Sequence, residues 1–205
     1  MILGGGVVGM NAAMIAAGLG AMVVILDTSL QRLRHLEGIM PHNVNLLYST
    51  RYEIRKHIQD ADLVIGAVLV HGAKAPSLIL ESDLKTMKRG SVIVDVAVDQ
   101  GGYVETTRPT THRDPIYMVH GVIHYGVTNM PGGVPRTSTL ALTNATLPCA
   151  LALADRGWRG ACAHDPALAL GVNMVDGRVT YSGVAEAFDL EYSDVQTLLT
   201  PPAQA

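Results

Sequence analysis

Along the first 130 residues, apolar runs of strand length alternate with amphipathic stretches of helix length. That rhythm is expected of strands joined by crossover helices in a parallel sheet. It predicts strands at 1–3, 22–27, 45–47, 62–68, 91–96 and 121–127, and helices at 8–19, 30–36, 51–59 and 83–87. Thr50 and Ser82 are the expected N-caps, because a hydroxyl just ahead of a first turn accepts from its unpaired amides. The fold class that follows is α/β, a Rossmann-type doubly wound parallel sheet. After Met130 the pattern changes, with a Pro/Gly-rich turn at 131–135, a long helical stretch at 138–154 and a second helical piece after Trp158. Asp176 and Gly177 sit between short β-like runs as a hairpin turn, and the tail 200–205 is expected to fray. Residues 1–130 therefore form the expected Rossmann domain, and 131–205 a C-terminal helical segment.

Gly4, Gly6 and Gly9 give G-x-G-x-x-G directly after the first apolar run and directly before an Ala-rich helix. In that context the first glycine permits a tight turn, the second lets backbone approach a pyrophosphate, and the third lets helix and strand pack closely. The helix N-terminus adds free N–H groups and partial positive charge. Gly5, Val7 and Val8 complete the expected phosphate-binding loop. The second strand ends in Asp27, near the offset at which an acid receives the adenosine ribose hydroxyls. A carboxylate there repels a 2′-phosphate, so the expected cofactor is NAD, although Arg32 five residues on is a group able to accommodate that phosphate.

Ligands of an open α/β sheet lie beyond the C-terminal ends of its strands. Those ends here are Asp27, Val68 with Leu69, Asp99 with Gln100 following Val96, and Asn129 with Met130. Asp99 is either a loop residue with its polar needs met or an acid beside the nicotinamide; position alone leaves both open. Lys74 is either an anion contact or, as a lone lysine more often is, a solvated side chain, and His71, His112 and His124 are too scattered for a metal site, so none is expected.

Composition narrows the classes further. The 205 residues are 48% hydrophobic and 16% charged, with mean hydropathy +0.25, so part of the surface is expected to be covered. A formal charge of −3 without a basic run offers no footprint for nucleic acid or an anionic membrane. The apolar start is broken by glycines and Asn11 and lacks a basic leader, which fits a βαβ unit better than a signal peptide or span. Cys149 and Cys162 have no metal-ligand spacing and read as two reduced thiols, which suggests the cytoplasm.

Six phrases, LGGGVVGMNAA, ADLVIGAVLVHGAKAP, GSVIVDVAVDQGG, RPTTHRDP, NMPGGVPRTST and ALTNATLP, resemble the alanine dehydrogenase family in order, from Met1 to about Arg159. The resemblance implies NAD-dependent oxidative deamination of L-alanine to pyruvate and ammonia. It implies that the glycine loop and Asp27 hold pyrophosphate and ribose, that Ser49 faces the adenine side, and that Val68 and Leu69 pack near the adenosine. It further implies that Asp99 is the active-site acid and that Asn129 and Met130 line the nicotinamide pocket. His71 stands where proline is usual, Tyr103 and Gly126 where cysteines are common, and Thr128 where alanine is common.

In that family the substrate-binding arginine, lysine and histidine come from an N-terminal domain of more than a hundred residues, which is not among these 205. Negligible turnover by the chain alone, complementation by a separate N-terminal half, and a homo-oligomer are the corresponding expectations. Two other readings are a non-catalytic NAD-binding module and a transhydrogenase-like subunit.

Overall fold

A computed structural model describes residues 1–68 and 77–199. The chain divides into two compact units, Met1–Met130 and Pro131–Ala205.

The first unit is built on a seven-stranded sheet in the order β3-β2-β1-β4-β5-β7-β6. Its elements are β1 (Ile2–Leu3), α1 (Val7–Gly18), β2 (Val23–Asp27), α2 (Leu30–Glu37), β3 (Val44–Tyr48), α3 (Arg51–Ile58), β4 (Leu63–Gly66), α4 (Glu81–Leu84), β5 (Val92–Asp95), β6 (Ile116–Val119) and β7 (Val122–Tyr125). β1 pairs in parallel with β2 on one side and with β4 on the other, so the winding reverses direction at β1. Successive side chains on a strand point to opposite faces, and the core divides accordingly. Ile2, Val23 and Ile25 cluster with Ala13, Ala17 and Leu36 from α1 and α2. Leu3, Leu26 and Val64 cluster instead with Ile54, Ile58 and Leu84 from α3 and α4. Apolar cover on both faces is what the doubly wound expectation requires.

Two features depart from the sequence expectation. β6 was not anticipated, and it runs antiparallel to β7. The two are joined by His120 and Gly121, both at positive φ (51° and 82°), the conformation of a two-residue hairpin loop. Histidine in place of the usual asparagine hides that turn in the sequence. Ser82 is not an N-cap but lies inside α4; the Asp83 side chain accepts from the Leu80 N–H at 2.9 Å and takes the capping role. Thr50 does cap α3, and Ser29 caps α2.

The hairpin carries a buried polar group. His124 stacks on Tyr117 with ring centroids 4.9 Å apart. Its Nδ1 lies 3.1 Å from the Val122 carbonyl and its Nε2 2.9 Å from the Thr106 hydroxyl. A carbonyl only accepts, so Nδ1 carries the proton and Nε2 accepts from Thr106. Burial pushes the His124 pKa below its ordinary 6.5, against smaller raising effects of the Val122 carbonyl and the Asp95 charge.

The second unit contains α5 (Pro135–His164), α6 (Pro166–Ala169), β8 (Met174–Val175), β9 (Arg178–Val179), α7 (Ser182–Phe188) and α8 (Val195–Leu199). β8 and β9 form the expected hairpin around Asp176 and Gly177, both at positive φ. α5 is longer than the expected 138–154 and is broken at Gly157, whose φ of 65° and ψ of 168° are not helical. Leu140, Leu142, Leu147, Leu151 and Leu153 on this helix are exposed. α5 is long and apolar enough to cross a membrane by length and composition alone. Cys149 and Cys162 are both free thiols.

Candidate functional site

The site begins where β1 ends. Gly4 turns the chain at φ +92°, and a Cβ there would lie 2.9 Å from the Ala67 carbonyl oxygen and from Val68. At Gly9 a Cβ would collide with the Gly4 carbonyl, so only glycine lets α1 sit this close to the bend. Gly6 differs from both, because nothing lies within 4 Å of a Cβ built on it. The space ahead of Gly6 is open.

Gly6 is also the N-cap of α1, and no side chain caps this helix, whereas Ser29 and Thr50 cap the next two. The first intrahelical bond runs from the Met10 N–H to the Gly6 carbonyl at 2.9 Å. The amides of Val7, Val8 and Gly9 therefore have no intrahelical partner. Together with the aligned peptide dipoles they favour an anionic group at this end.

Asp27 ends β2 across from the bend. Its Oδ2 accepts the Gly5 N–H at 2.7 Å, and its Oδ1 accepts the Ser29 N–H at 2.8 Å. Each carboxylate oxygen has a second lone pair, so two further hydroxyl donors can be received. Arg32 donates through Nε to the Gly5 carbonyl and lies 3.4 Å from Met10 Sδ through Nη2. Asp27 and Arg32 thus hold the two polar ends of one glycine residue.

The far wall comes from β5. Its last residue, Asp95, is buried and receives the Ala97 N–H at 3.1 Å, the Tyr103 N–H at 2.8 Å and the Thr107 hydroxyl at 2.7 Å. Those three bonds fold the following segment into a tight loop with a 3₁₀ turn at Val98–Gln100. Asp99 stands exposed on that turn and Val98 is buried beneath it.

Between these walls lies a cleft of about 610 Å³, bordered by Gly4, Gly6, Val7 and Val8 on the bend, Asp27 and Thr28 after β2, Ala67 and Val68 after β4, and Val96, Ala97, Asp99 and Gln100 after β5. It opens at the strand C-termini beside the reversal at β1, where ligands of such sheets bind. A smaller hollow of about 240 Å³ shares Gly4, Asp27, Thr28 and Val68 with it and adds Leu26, Ser49, Leu78 and Tyr103. Another hollow of about 380 Å³ lies between α2 and β3, lined by residues such as Arg34, Glu37 and His42. That one shares no lining residue with the cleft and is bordered by neither the bend nor the uncapped helix end.

Of the residues singled out in the sequence, Gly4, Gly6, Val7, Val8, Asp27, Val68, Val96 and Asp99 border the cleft and Ser49 the hollow. Gly5 and Gly9 are buried behind the bend, and Arg32 grips its backbone. Asn129 and Met130 are not among the cleft-lining residues. Asn129 is exposed at φ 55°, and its carbonyl lies 3.0 Å from His112 Nε2. Leu69, His71 and Lys74 fall outside the described residues. Sequence reasoning passed over Thr28, Ala67 and Ala97 as cleft residues and Leu78 in the hollow, because small or apolar side chains gave no chemical signal for them, and it noted Tyr103 only as a departure from the family pattern. Among the described residues, no group of three or more His, Cys, Asp or Glu side chains could hold a metal ion.

The family model for "Alanine dehydrogenase/PNT, C-terminal domain" matches residues 1–182. The chain belongs to this family. It is 56% identical over 199 residues to an alanine dehydrogenase of Staphylococcus haemolyticus, and 54% identical over 198 residues to one of Halomonas elongata. In each case 97% of the chain is covered but only 53% of the relative, so the chain spans about half their length. A solved L-alanine dehydrogenase superimposes with a TM-score of 0.82 at 50% identity, again over 97% of this chain and 53% of that one. The alanine dehydrogenase match thus runs through both units and through α5.

Proposed function

We propose that the first unit binds NAD and that the chain supplies the cofactor half of an alanine dehydrogenase acting on L-alanine and pyruvate. The observation that carries this reading is the uncapped N-terminus of α1, fronted by the open space at Gly6 and faced by Asp27 across a cleft of about 610 Å³. The donor set suits a dinucleotide: free amides for the pyrophosphate, a carboxylate for the ribose hydroxyls, and apolar Val68, Val96 and Ala97 for ring faces. Bound NAD supplies the nicotinamide ring that accepts hydride from the alanine α-carbon.

The chain's own residues bind and orient. Val7, Val8 and Gly9 amides receive the phosphates, Asp27 receives the adenosine ribose, and Ser49 borders the adenine side. Arg32 keeps the Gly5 carbonyl turned away from the phosphates, a positioning role that differs from direct contact with a 2′-phosphate. Asp99, on the turn fixed by Asp95, is the acid nearest the reacting end; the family resemblance adds Asn129 and Met130 after β7 at the nicotinamide side, although neither borders the cleft described above. Hydride transfer also requires the amino acid held in line, and the arginine, lysine and histidine that the family resemblance assigns to this task are not among the 205 residues. The exposed apolar side chains of α5 fit a face that packs on further protein, either the remaining half or another copy of the chain.

Calorimetric titration with NAD tests the cofactor assignment, and micromolar to submillimolar binding is expected; no heat of binding up to millimolar NAD would reject it. Alanine-dependent NADH formation is expected to be negligible for the chain alone and restored by adding an N-terminal half from a relative. Robust turnover without that half, or none with it, would reject the dehydrogenase assignment.

A further inference from the structure

A buried carboxylate holds the turn that carries Asp99. Of the three donors to Asp95, the Ala97 and Tyr103 N–H groups belong to the loop that contains this turn. The third comes from further along the chain, where the Thr107 hydroxyl donates to Asp95 Oδ2 at 2.7 Å. Gly102 lies against this contact: a Cβ there would come within 2.5 Å of both Asp95 Oδ2 and the Thr107 methyl. The three groups are packed with no room to spare.

Thr107 is itself bracketed by one phenol. The hydroxyl of Tyr117, on β6, donates to the Thr106 carbonyl at 2.9 Å and accepts the Arg108 N–H at 2.8 Å. A single oxygen therefore binds the peptide groups on both sides of the Thr107 α-carbon. The Tyr117 ring is fixed separately, stacked on His124 and covered by the Arg108 guanidinium 4.3 Å from its centroid. Burial raises the Tyr117 pKa above its ordinary 10.0, against smaller lowering effects of Arg108, so the hydroxyl keeps the proton that it donates.

We propose that Tyr117 is a positioning residue for Asp99: its hydroxyl sets the backbone that aims Thr107 at Asp95, and Asp95 sets the turn on which Asp99 stands at the cleft. The inference rests on the alanine dehydrogenase reading, which gives Asp99 its task. None of residues 116–125 borders the cleft, so the β6–β7 hairpin acts on it through this relay and not by contact. Without the phenol oxygen both peptide groups are free to rotate. Water can replace the lost bond at exposed Arg108, but it cannot restore the aim of the Thr107 side chain. The buried carboxylate then loses one of its three donors, and a buried charge short of donors is costly.

Tyr117→Phe removes the oxygen and leaves the stacked ring. Its amide hydrogen exchange, in the chain alone, is compared with that of the parent, Thr107→Val and Thr107→Ser. The expected result is exchange at Gln100, Gly101 and Gly102 accelerated roughly three- to tenfold in Tyr117→Phe and Thr107→Val, as for loss of one hydrogen bond. Thr107→Ser, which keeps a hydroxyl, should exchange at the parental rate, and the β2–β3 ladder should be unchanged in all three. In enzyme complemented with an N-terminal half, Tyr117→Phe should lower kcat about tenfold through a displaced Asp99 and leave KM for NAD within about twofold, because no phosphate or ribose contact is touched. Acceleration spread over the whole first unit overturns the inference, since the hydroxyl would then be serving the fold at large. Unchanged exchange at the turn overturns it too, as does a loosened turn with parental kcat. A complemented parent without turnover overturns the dehydrogenase reading and this inference with it, whereas an active parent with an unaffected variant overturns the Tyr117 assignment alone.

Discussion

Asp27 Oδ2 lies 2.7 Å from the Gly5 backbone nitrogen, so the acid proposed for the ribose also holds the glycine bend in place. One side chain therefore ties the tip of β2 to the loop after β1, and binding and loop geometry cannot be separated by deleting it. Asp27→Ala should weaken NAD binding at least tenfold and also cost about 1–3 kcal/mol of stability, because the buried Gly5 N–H loses its acceptor. Chemical denaturation beside calorimetry checks both halves. An alanine variant with parental stability would mean that the Gly5 amide finds another partner.

Two glycines three residues apart should respond in opposite ways. Gly6→Val adds a side chain where nothing lies within 4 Å, at a φ of −64° that any residue adopts, so the fold should lose less than about 1 kcal/mol. The valine then fills the space proposed for the pyrophosphate, and NAD affinity should fall at least tenfold. Gly9→Ala drives a methyl into the Gly4 carbonyl and should destabilise the chain by about 1–3 kcal/mol or more through forced separation of α1 from β1. Thermal melts and NAD titrations of the two variants distinguish a blocked pocket from a damaged scaffold.

The carboxylates of the β5 loop divide the same way. Asp95 is buried and satisfies two backbone amides and a hydroxyl, so Asp95→Ala should cost about 3 kcal/mol or more and disorder the turn that carries Asp99. Asp99 is exposed, and Asp99→Ala should leave the unfolding free energy within about 0.5 kcal/mol of the parent. In enzyme complemented with an N-terminal half, that same variant should lose most alanine-dependent NADH formation while still binding NAD. Retained turnover would remove Asp99 from the chemistry.

His124 makes stability depend on pH with a definite sign. Burial lowers its folded pKa below 6.5, so the unfolded chain binds the proton more readily than the folded one. Its contribution is fully present above pH 6.5 and is lost as pH falls from there toward the lower folded value. Protonation would also require Nε2 to donate where it now accepts from Thr106. Urea midpoints taken between pH 8 and pH 5 should fall on acidification in the parent and fall less steeply in His124→Phe. Parallel profiles would show that another group governs the acid limb.

Local order along the chain decided the alternation of strands and helices, the G-x-G-x-x-G bend and the acid at the end of β2, because each follows from the period of a strand, the period of a helix or the steric needs of neighbouring backbone. Sequence likewise carried the family resemblance through long ordered phrases. The antiparallel β6 escaped it because His120 adopts a left-handed conformation for which histidine is a weak signal. Contacts between residues far apart in the chain were set only by tertiary packing: Arg32 turned onto the Gly5 carbonyl, Asp95 threaded through Ala97, Tyr103 and Thr107, and a cleft assembled after β1, β2, β4 and β5. Side-chain periodicity says which face a residue occupies. Which distant amide or carbonyl waits on that face depends on the register of the parallel strands and the paths of the loops between them, and these exist only once the sheet has closed.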